Sequence, residues 1–198
     1  MQIGTEGHAL LSNYIMDGTW LDIPSTHRWE VLKSIRFPED WNFLATEMQL
    51  ERSIVLGGEA VVLMGILDAV YTDGNGDLWV LDHKFSNSNN AFYEYLMSPQ
   101  GWVYAYLYSE NFEQDVAGFV VNYINIDFKK STLKYMFYRN AFGDSWKEGL
   151  LKELDLLIPE MLYWDKQMQR GILPYRSVQR DCIYCEYLKQ CVNSYHYK

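Results

Sequence analysis

Asp82 and Lys84 stand two positions apart in the stretch Leu81-Asp82-His83-Lys84, at the end of an apolar run. In an extended chain, residues i and i+2 share a face, so a carboxylate and an ammonium would enter one pocket side by side. Asp68 ends the preceding apolar run, and His8 lies near the N-terminus. Two carboxylates brought together repel, and a hard divalent cation relieves that repulsion while acting as a Lewis acid. Mg²⁺ and Mn²⁺ prefer oxygen ligands, and Mn²⁺ also tolerates an imidazole, the role that suits His8. Lys84 would then neutralise charge building on a phosphate in flight. Singly these residues have ordinary readings: an Asp at a strand end caps a turn, a lone Lys is solvated, and an early helical His is a surface residue. Their joint placement favours the hydrolytic reading.

The placement depends on the elements around it. Residues 60–72 and 77–85 read as two strands joined by the turn Asp73-Gly74-Asn75-Gly76, and Ala45–Val55 alternates as a third, so the three form an antiparallel meander. Nothing in the spacing requires Asp68 and Asp82 to face each other; a bulge at Gly65 or beyond Asp82 would bring them to one edge. Residues 4–16 have helical apolar spacing, and residues 17–42 read as loop with a short helix. Ser98 caps a helix through residue 110, with Pro99 at its first position. Two further strands follow in 115–127 and 132–140. Ser145 and Glu148 form a capping box for a long amphipathic helix that Pro159 should kink or split and Gly171 should end. This order implies an α/β fold with a central mixed sheet flanked by helices.

The 198 residues suffice for one domain, read as 1–198 with 171–198 as a small appendage. Seven Trp and sixteen Tyr within a 48% hydrophobic composition argue against long disorder. No apolar run reaches the ~20 residues of a membrane span and no signal peptide is evident, so a cytoplasmic location is expected. The net charge of −9 argues against a general nucleic-acid coating protein but is compatible with a nuclease whose site needs acidic ligands. Lys129, Lys130, Lys134 and Arg139 form a small basic group that reads as solvated charge. The aromatics Trp102, Tyr106, Tyr108, Tyr184 and Tyr187 read mainly as packing, with base stacking as the other use.

The segments "GTEGHALLSNYI", "GILDAV", "LDHK" and "QGWVY", in that order, resemble the PD-(D/E)XK nuclease superfamily, within it the RecB-like branch that includes phage exonucleases and the CRISPR-adaptation nucleases. The resemblance covers residues 4–104 and resumes at the C-terminus. It implies a restriction-endonuclease-like core, with His8, Asp68 and Asp82 as metal ligands and the backbone carbonyl of His83 as a further one. It makes Lys84 the catalytic lysine, while Gln100 steadies the site and Tyr104 contacts the substrate strand; these two are one helical turn apart.

Cys182, Cys185 and Cys191 are the only cysteines, bunched as C-x2-C-x5-C, which suits soft metal ligation better than disulfides. By resemblance, such a trio after a segment like "GILP" joins a fourth Cys ahead of the His helix to hold a [4Fe-4S] cluster. This sequence has no fourth Cys, and His196 would complete a Cys3His zinc set instead, so both ions stay open. The expected activity is an Mg²⁺- or Mn²⁺-dependent deoxyribonuclease, an exonuclease rather than an endonuclease, acting on single-stranded DNA or DNA ends in recombination, repair or processing. A phage-encoded chain would act in the host cytoplasm, and a helicase or annealing protein is the expected partner. The rival reading is a noncatalytic nucleic-acid-binding or assembly subunit with the same fold.

Overall fold

The computed structural model describes residues 2–20, 28–86 and 98–170. Five strands make one sheet in the order β1 (Asn42–Leu56), β2 (Glu59–Thr72), β3 (Leu78–Ser86), β4 (Gly118–Asp127) and β5 (Thr132–Ala141). All neighbours are antiparallel except β3 and β4, which run parallel, and this crossover carries helix α2 (Gln100–Phe112). Helix α1 (Gln2–Asp17) precedes the sheet and α3 (Trp146–Gln169) follows it. The predicted mixed sheet with flanking helices is therefore present, including the β1–β3 meander.

The core lies on two sides of the sheet, and along β2 the alternation is interrupted between Leu67 and Ala69, across Asp68. Leu67, Val70, Leu78, Val80, Phe119 and Val121 pack with Ala105 and Tyr108 of α2. Opposite them, Ala69, Tyr71, Trp79, Leu81 and Val120 surround Trp41. Further along that side, Leu11 of α1 packs with Trp29, Leu32, Ile35, Ile124 and Ile126. Each fully buried side chain of this kind contributes about 1.5–3 kcal/mol. Trp29 and Leu32 lie in a short 3-10 turn, Arg28–Ser34, within the predicted loop region. Of the aromatics read for packing, Tyr106 and Tyr108 are buried, and Trp102 packs against Phe119, Phe142 and Trp146. Tyr184 and Tyr187 lie outside the described residues.

The β2–β3 turn is anchored by Asp73. Its carboxylate accepts from the backbone N–H groups of Asn75 (3.0 Å) and Asp77 (3.2 Å), from Trp79 Nε1 (3.2 Å) and from Arg139 (3.2 Å). The Arg139 guanidinium lies over the rings of Trp79 and Trp41, at 4.7 and 5.5 Å, so this member of the predicted basic group is structural. Burial alone would raise the pKa of Asp73, but these donors and the charge of Arg139 hold it below the usual carboxylate range. The stabilisation is fully present above the unfolded pKa near 3.8 and is lost as pH falls through the depressed value. Asp73→Ala strands several donors at once, and urea denaturation at neutral pH should show a loss of about 2–3 kcal/mol.

One expectation about helices is corrected and another is narrowed. Pro99 occupies the N-cap of α2 rather than its first turn, and Ser98 Oγ accepts from Gln100 N–H at 3.3 Å. The shift keeps a donor-less residue where no intrahelical partner is available. Pro159 does not split α3, which runs as one helix from Trp146 to Gln169. A proline removes a single intrahelical bond, and 24 residues offer enough others to carry the helix past it.

By contacts the chain divides into two compact units, Met1–Leu156 and Leu157–Lys198. Cys182, Cys185, Cys191, His196 and the predicted 171–198 appendage lie outside the described residues. Among the described residues no helix is long and apolar enough to cross a membrane.

Candidate active site

Strands β2 and β3 pair from Thr72–Leu78 only as far as Ala69–Leu81. Asp68 and Asp82 are the next residue on each strand, so they flank the fork where the strands part. Ladder pairing stops just before them, and of the two places where a bend was expected to bring them together, Gly65 carries no register shift, sitting opposite Leu50. At the fork the Asp68 carboxylate takes over as acceptor, receiving the backbone N–H of His83 at 2.6 Å. The gap lets groups from both sides of the sheet converge.

From one side comes α1. Gly7 meets Phe85 so closely that a Cβ there would lie 2.5 Å from the ring, and this approach delivers the next residue, His8. His8 Nδ1 lies 3.1 Å from Asp68 Oδ1. From the other side comes α2. Lys84 Nζ lies 2.9–3.0 Å from the Asp82 oxygens and donates to Gln100 Oε1 at 2.6 Å, while Gln100 Nε2 donates to Tyr104 Oη at 2.6 Å. Predicted residues His8, Asp68, Asp82, Lys84, Gln100 and Tyr104 all line one cleft of about 900 Å³. The His83 ring is buried beside the site, its Nδ1 2.9 Å from Asn122 Nδ2 and its centroid 6.0 Å from that of His8, while its backbone N–H donates to Asp68.

The motif glycine has a physical reason too. A Cβ at Gly65 would lie 2.7 Å from the Tyr104 ring, so the Gly of G-x-x-D makes room for the Tyr of Q-x-x-x-Y. Gly65→Ala must push Tyr104, and with it the Gln100–Lys84 chain, out of place. We expect stability to fall by about 1–3 kcal/mol from overpacking, read by thermal unfolding, with a greater proportional loss in cleavage than in metal affinity.

Sequence reasoning missed Glu47. Ligand atoms of His8, Glu47 and Asp68 lie within 4.8 Å of one another, a donor set of one imidazole and two carboxylates. Glu47 has φ of 49°, left-handed geometry inside a strand, costing about 1–3 kcal/mol. It falls where Thr46–Ala69 and Met48–Leu67 bracket Asp68 on the neighbouring strand, and the register of this pair of strands shifts nearby, between Phe43 and Ala45. The backbone thus departs from regular strand geometry where it supplies the third donor. Ser12 Oγ donates to Thr46 Oγ1 at 2.7 Å, tying α1 to this segment.

The electrostatics separate the two aspartates. Burial pushes Asp82 up to about 6, against the pull of Lys84 and with added repulsion from Asp68. For Asp68 burial acts the same way, but the hydrogen bond from His8, the neighbouring histidines and the His83 N–H outweigh it and hold its pKa below the usual range. His8 shows the reciprocal effect: burial disfavours its charge, yet Asp68, Glu47 and Asp82 raise its pKa above 6.5. Glu47 is raised by partial burial and by the charge of Asp68. Two carboxylates, Glu47 and Asp68, whose repulsion the adjacent imidazole only partly offsets, fit an oxygen-preferring divalent ion such as Mg²⁺ or Mn²⁺. Asp82 borders this cluster, but in the metal-free protein its oxygens are engaged by Lys84.

A five-stranded mixed sheet flanked by helices is consistent with a restriction-endonuclease-like core. The family model of the PD-(D/E)XK nuclease superfamily matches residues 5–192, and the chain belongs to that superfamily. No curated protein matches. A solved structure described as "Crystal structure of SSO0001" is similar at 18% identity and a TM-score of 0.43, covering 72% of this chain. The present chain spans about half of that protein, 56% of its length.

Proposed function

We propose that the chain is a metal-dependent deoxyribonuclease of the RecB-like branch, acting as an exonuclease on single-stranded DNA or DNA ends. The observation that carries the reading is the joining of two arrangements in one cleft: the His8–Glu47–Asp68 donor cluster and the Asp82–Lys84–Gln100 chain. His8, Glu47 and Asp68 would hold Mg²⁺ or Mn²⁺, with Asp82 and the His83 carbonyl as the ligands implied by family resemblance. Such an ion supplies a Lewis acid that polarises a phosphoryl oxygen.

The protein's own groups do the rest. Asp82 and Gln100 hold the Lys84 ammonium at a fixed point, where it can neutralise charge developing on a phosphate or leaving oxygen. Tyr104 orients the Gln100 amide, so its oxygen faces the ammonium. The buried fork restricts water around these charges and strengthens them.

Recombination, repair or processing of DNA, a cytoplasmic site of action, a phage origin and a helicase or annealing partner complete the proposal. So does a structural ion, [4Fe-4S] or zinc, held by Cys182, Cys185 and Cys191 in a cysteine-bearing appendage to one nuclease domain.

The test is incubation of the full chain with labelled single- and double-stranded DNA in Mn²⁺, in Mg²⁺ and in EDTA. Cleavage that requires the metal and shortens single strands from one end supports the proposal. Intact DNA in every condition, with DNA affinity retained in EDTA, would replace it with the noncatalytic binding subunit.

A further inference from the structure

The β1–β2 hairpin is longer than the sheet it belongs to. β2 pairs with β3 only from Ala69 onward, so residues 59–66 pair with β1 alone and project past the fork. On one face of this ribbon, Leu63 packs in the alternation of Leu67, and Gly65 abuts Tyr104 and Leu107 of α2. The other face carries Val62, Met64 and Ile66, which are 55%, 61% and 50% exposed. These three alternate in step with Asp68, and Ile66 lines the cleft with it. An apolar stripe about 13 Å long therefore runs along one strand directly into the reaction site.

Charge decides what fits it. Across the ladder, Ile66, Met64 and Val62 face Gln49, Glu51 and Ser53, and Glu47 stands at the cleft end. Among the described residues lining the cleft, Lys84 is the one Lys or Arg. The phosphates of a duplex and of a single strand alike gain nothing from these acids, so contact with the stripe itself must come through bases, which an unpaired strand exposes and a duplex stacks away. Bases have the opposite requirement: their faces and the thymine methyl gain from apolar contact, and Met and Ile are among the side chains that recur at sites where bases are unstacked.

We propose that Val62, Met64 and Ile66 form a base-contacting rail for an unpaired DNA strand, holding the nucleotides next to the scissile phosphate with their bases against the ribbon and their phosphates turned toward Lys84. The proposal rests on the nuclease reading and adds the surface that selects the strand. The rail accepts a strand only where its bases are exposed, so a duplex end must fray before it enters.

The test pairs Val62→Ser/Met64→Ser with the unmodified ribbon, both in a Lys84→Met full chain, in which cutting is slow enough for binding to be read before it. Fluorescence anisotropy in Mn²⁺ is read with a thymidine oligonucleotide and with a blunt duplex of equal length. We expect Kd for the single strand to rise about tenfold, with the duplex little changed. Equal affinity of the two ribbons for the single strand overturns the rail. So does conversion of a dimer to a monomer by the ribbon substitution in sedimentation, which would assign the stripe to contact between copies. A separate titration with Mn²⁺ alone distinguishes the levels: metal binding and cleavage that persist while the ribbon has no effect remove only the rail, whereas their absence in the parent chain removes the nuclease reading and the rail together.

Discussion

On the proposed nuclease activity, Lys84→Met should lower the single-turnover rate of DNA cleavage by about 10²–10³-fold and leave Mn²⁺ binding at least as tight as in the parent chain. The rate loss follows from removing a pre-positioned cation that acts on charge present only in the transition state. The effect on metal has the opposite sign. In the metal-free protein Lys84 Nζ engages both oxygens of Asp82, at 2.9 and 3.0 Å, and an ammonium repels a divalent ion nearby. Methionine removes both obstacles while filling similar volume. Isothermal titration with Mn²⁺ and rapid-quench cleavage, on the same preparation, read the two changes separately. A parallel loss of metal affinity and rate would mean that Lys84 shapes the site rather than acting in it. Gln100→Ala tests the neighbouring link, since loss of the 2.6 Å bond frees the ammonium without deleting it. We expect it to give a smaller rate loss than Lys84→Met.

The parts of this arrangement differ in how plainly they were written in the sequence. The Asp73-Gly74-Asn75-Gly76 turn and the apolar runs around it specify a hairpin, and the i, i+2 placement of Asp82 and Lys84 follows from strand alternation. His8, Gln100 and Tyr104 were reachable because each stands in a short pattern on a predicted helix. The fork was not, because it depends on β2 leaving β3 to continue with β1, a choice between partners that no local stretch encodes. Glu47 was hidden for a related reason. In Ala45-Thr46-Glu47-Met48 it looks like any solvent-facing strand residue, just as Glu51 does, and what sets it apart is its register opposite Asp68 together with a left-handed backbone. The positive φ of a non-glycine residue is visible in coordinates and leaves no mark in the sequence. A weak signal did exist: an acid on the strand adjoining Asp68, once the meander had been recognised, is a candidate third ligand.

Asp68→Asn should have the largest effect on metal binding, and its consequences can be followed without any assay of activity. Asp68 belongs to the donor cluster with His8 and Glu47, and it also accepts the His83 backbone N–H at 2.6 Å. An asparagine keeps the volume and one acceptor oxygen, so the fork can stay closed on that N–H while the negative charge disappears. Replacing groups that merely orient a metal ligand costs about 10–100-fold in affinity, so losing a charged ligand itself should cost more than about 100-fold. His8 reports the same change in the metal-free protein. Burial lowers its pKa, and the hydrogen bond and charge of Asp68 are the leading effects that raise it above 6.5. With that charge gone the burial remains, and the imidazole pKa should fall, which an NMR titration of the His8 ring resonances would read. The direction matters for linkage as well. In the parent protein a metal must displace protons from His8 and, below about 6, from Asp82, so affinity falls as pH is lowered through this range. In Asp68→Asn, His8 is already neutral at lower pH, and the fall in affinity should begin later and be less steep. An unchanged His8 titration in this variant would show that the 3.1 Å contact with Asp68 does not govern the imidazole, and the donor cluster would lose its centre.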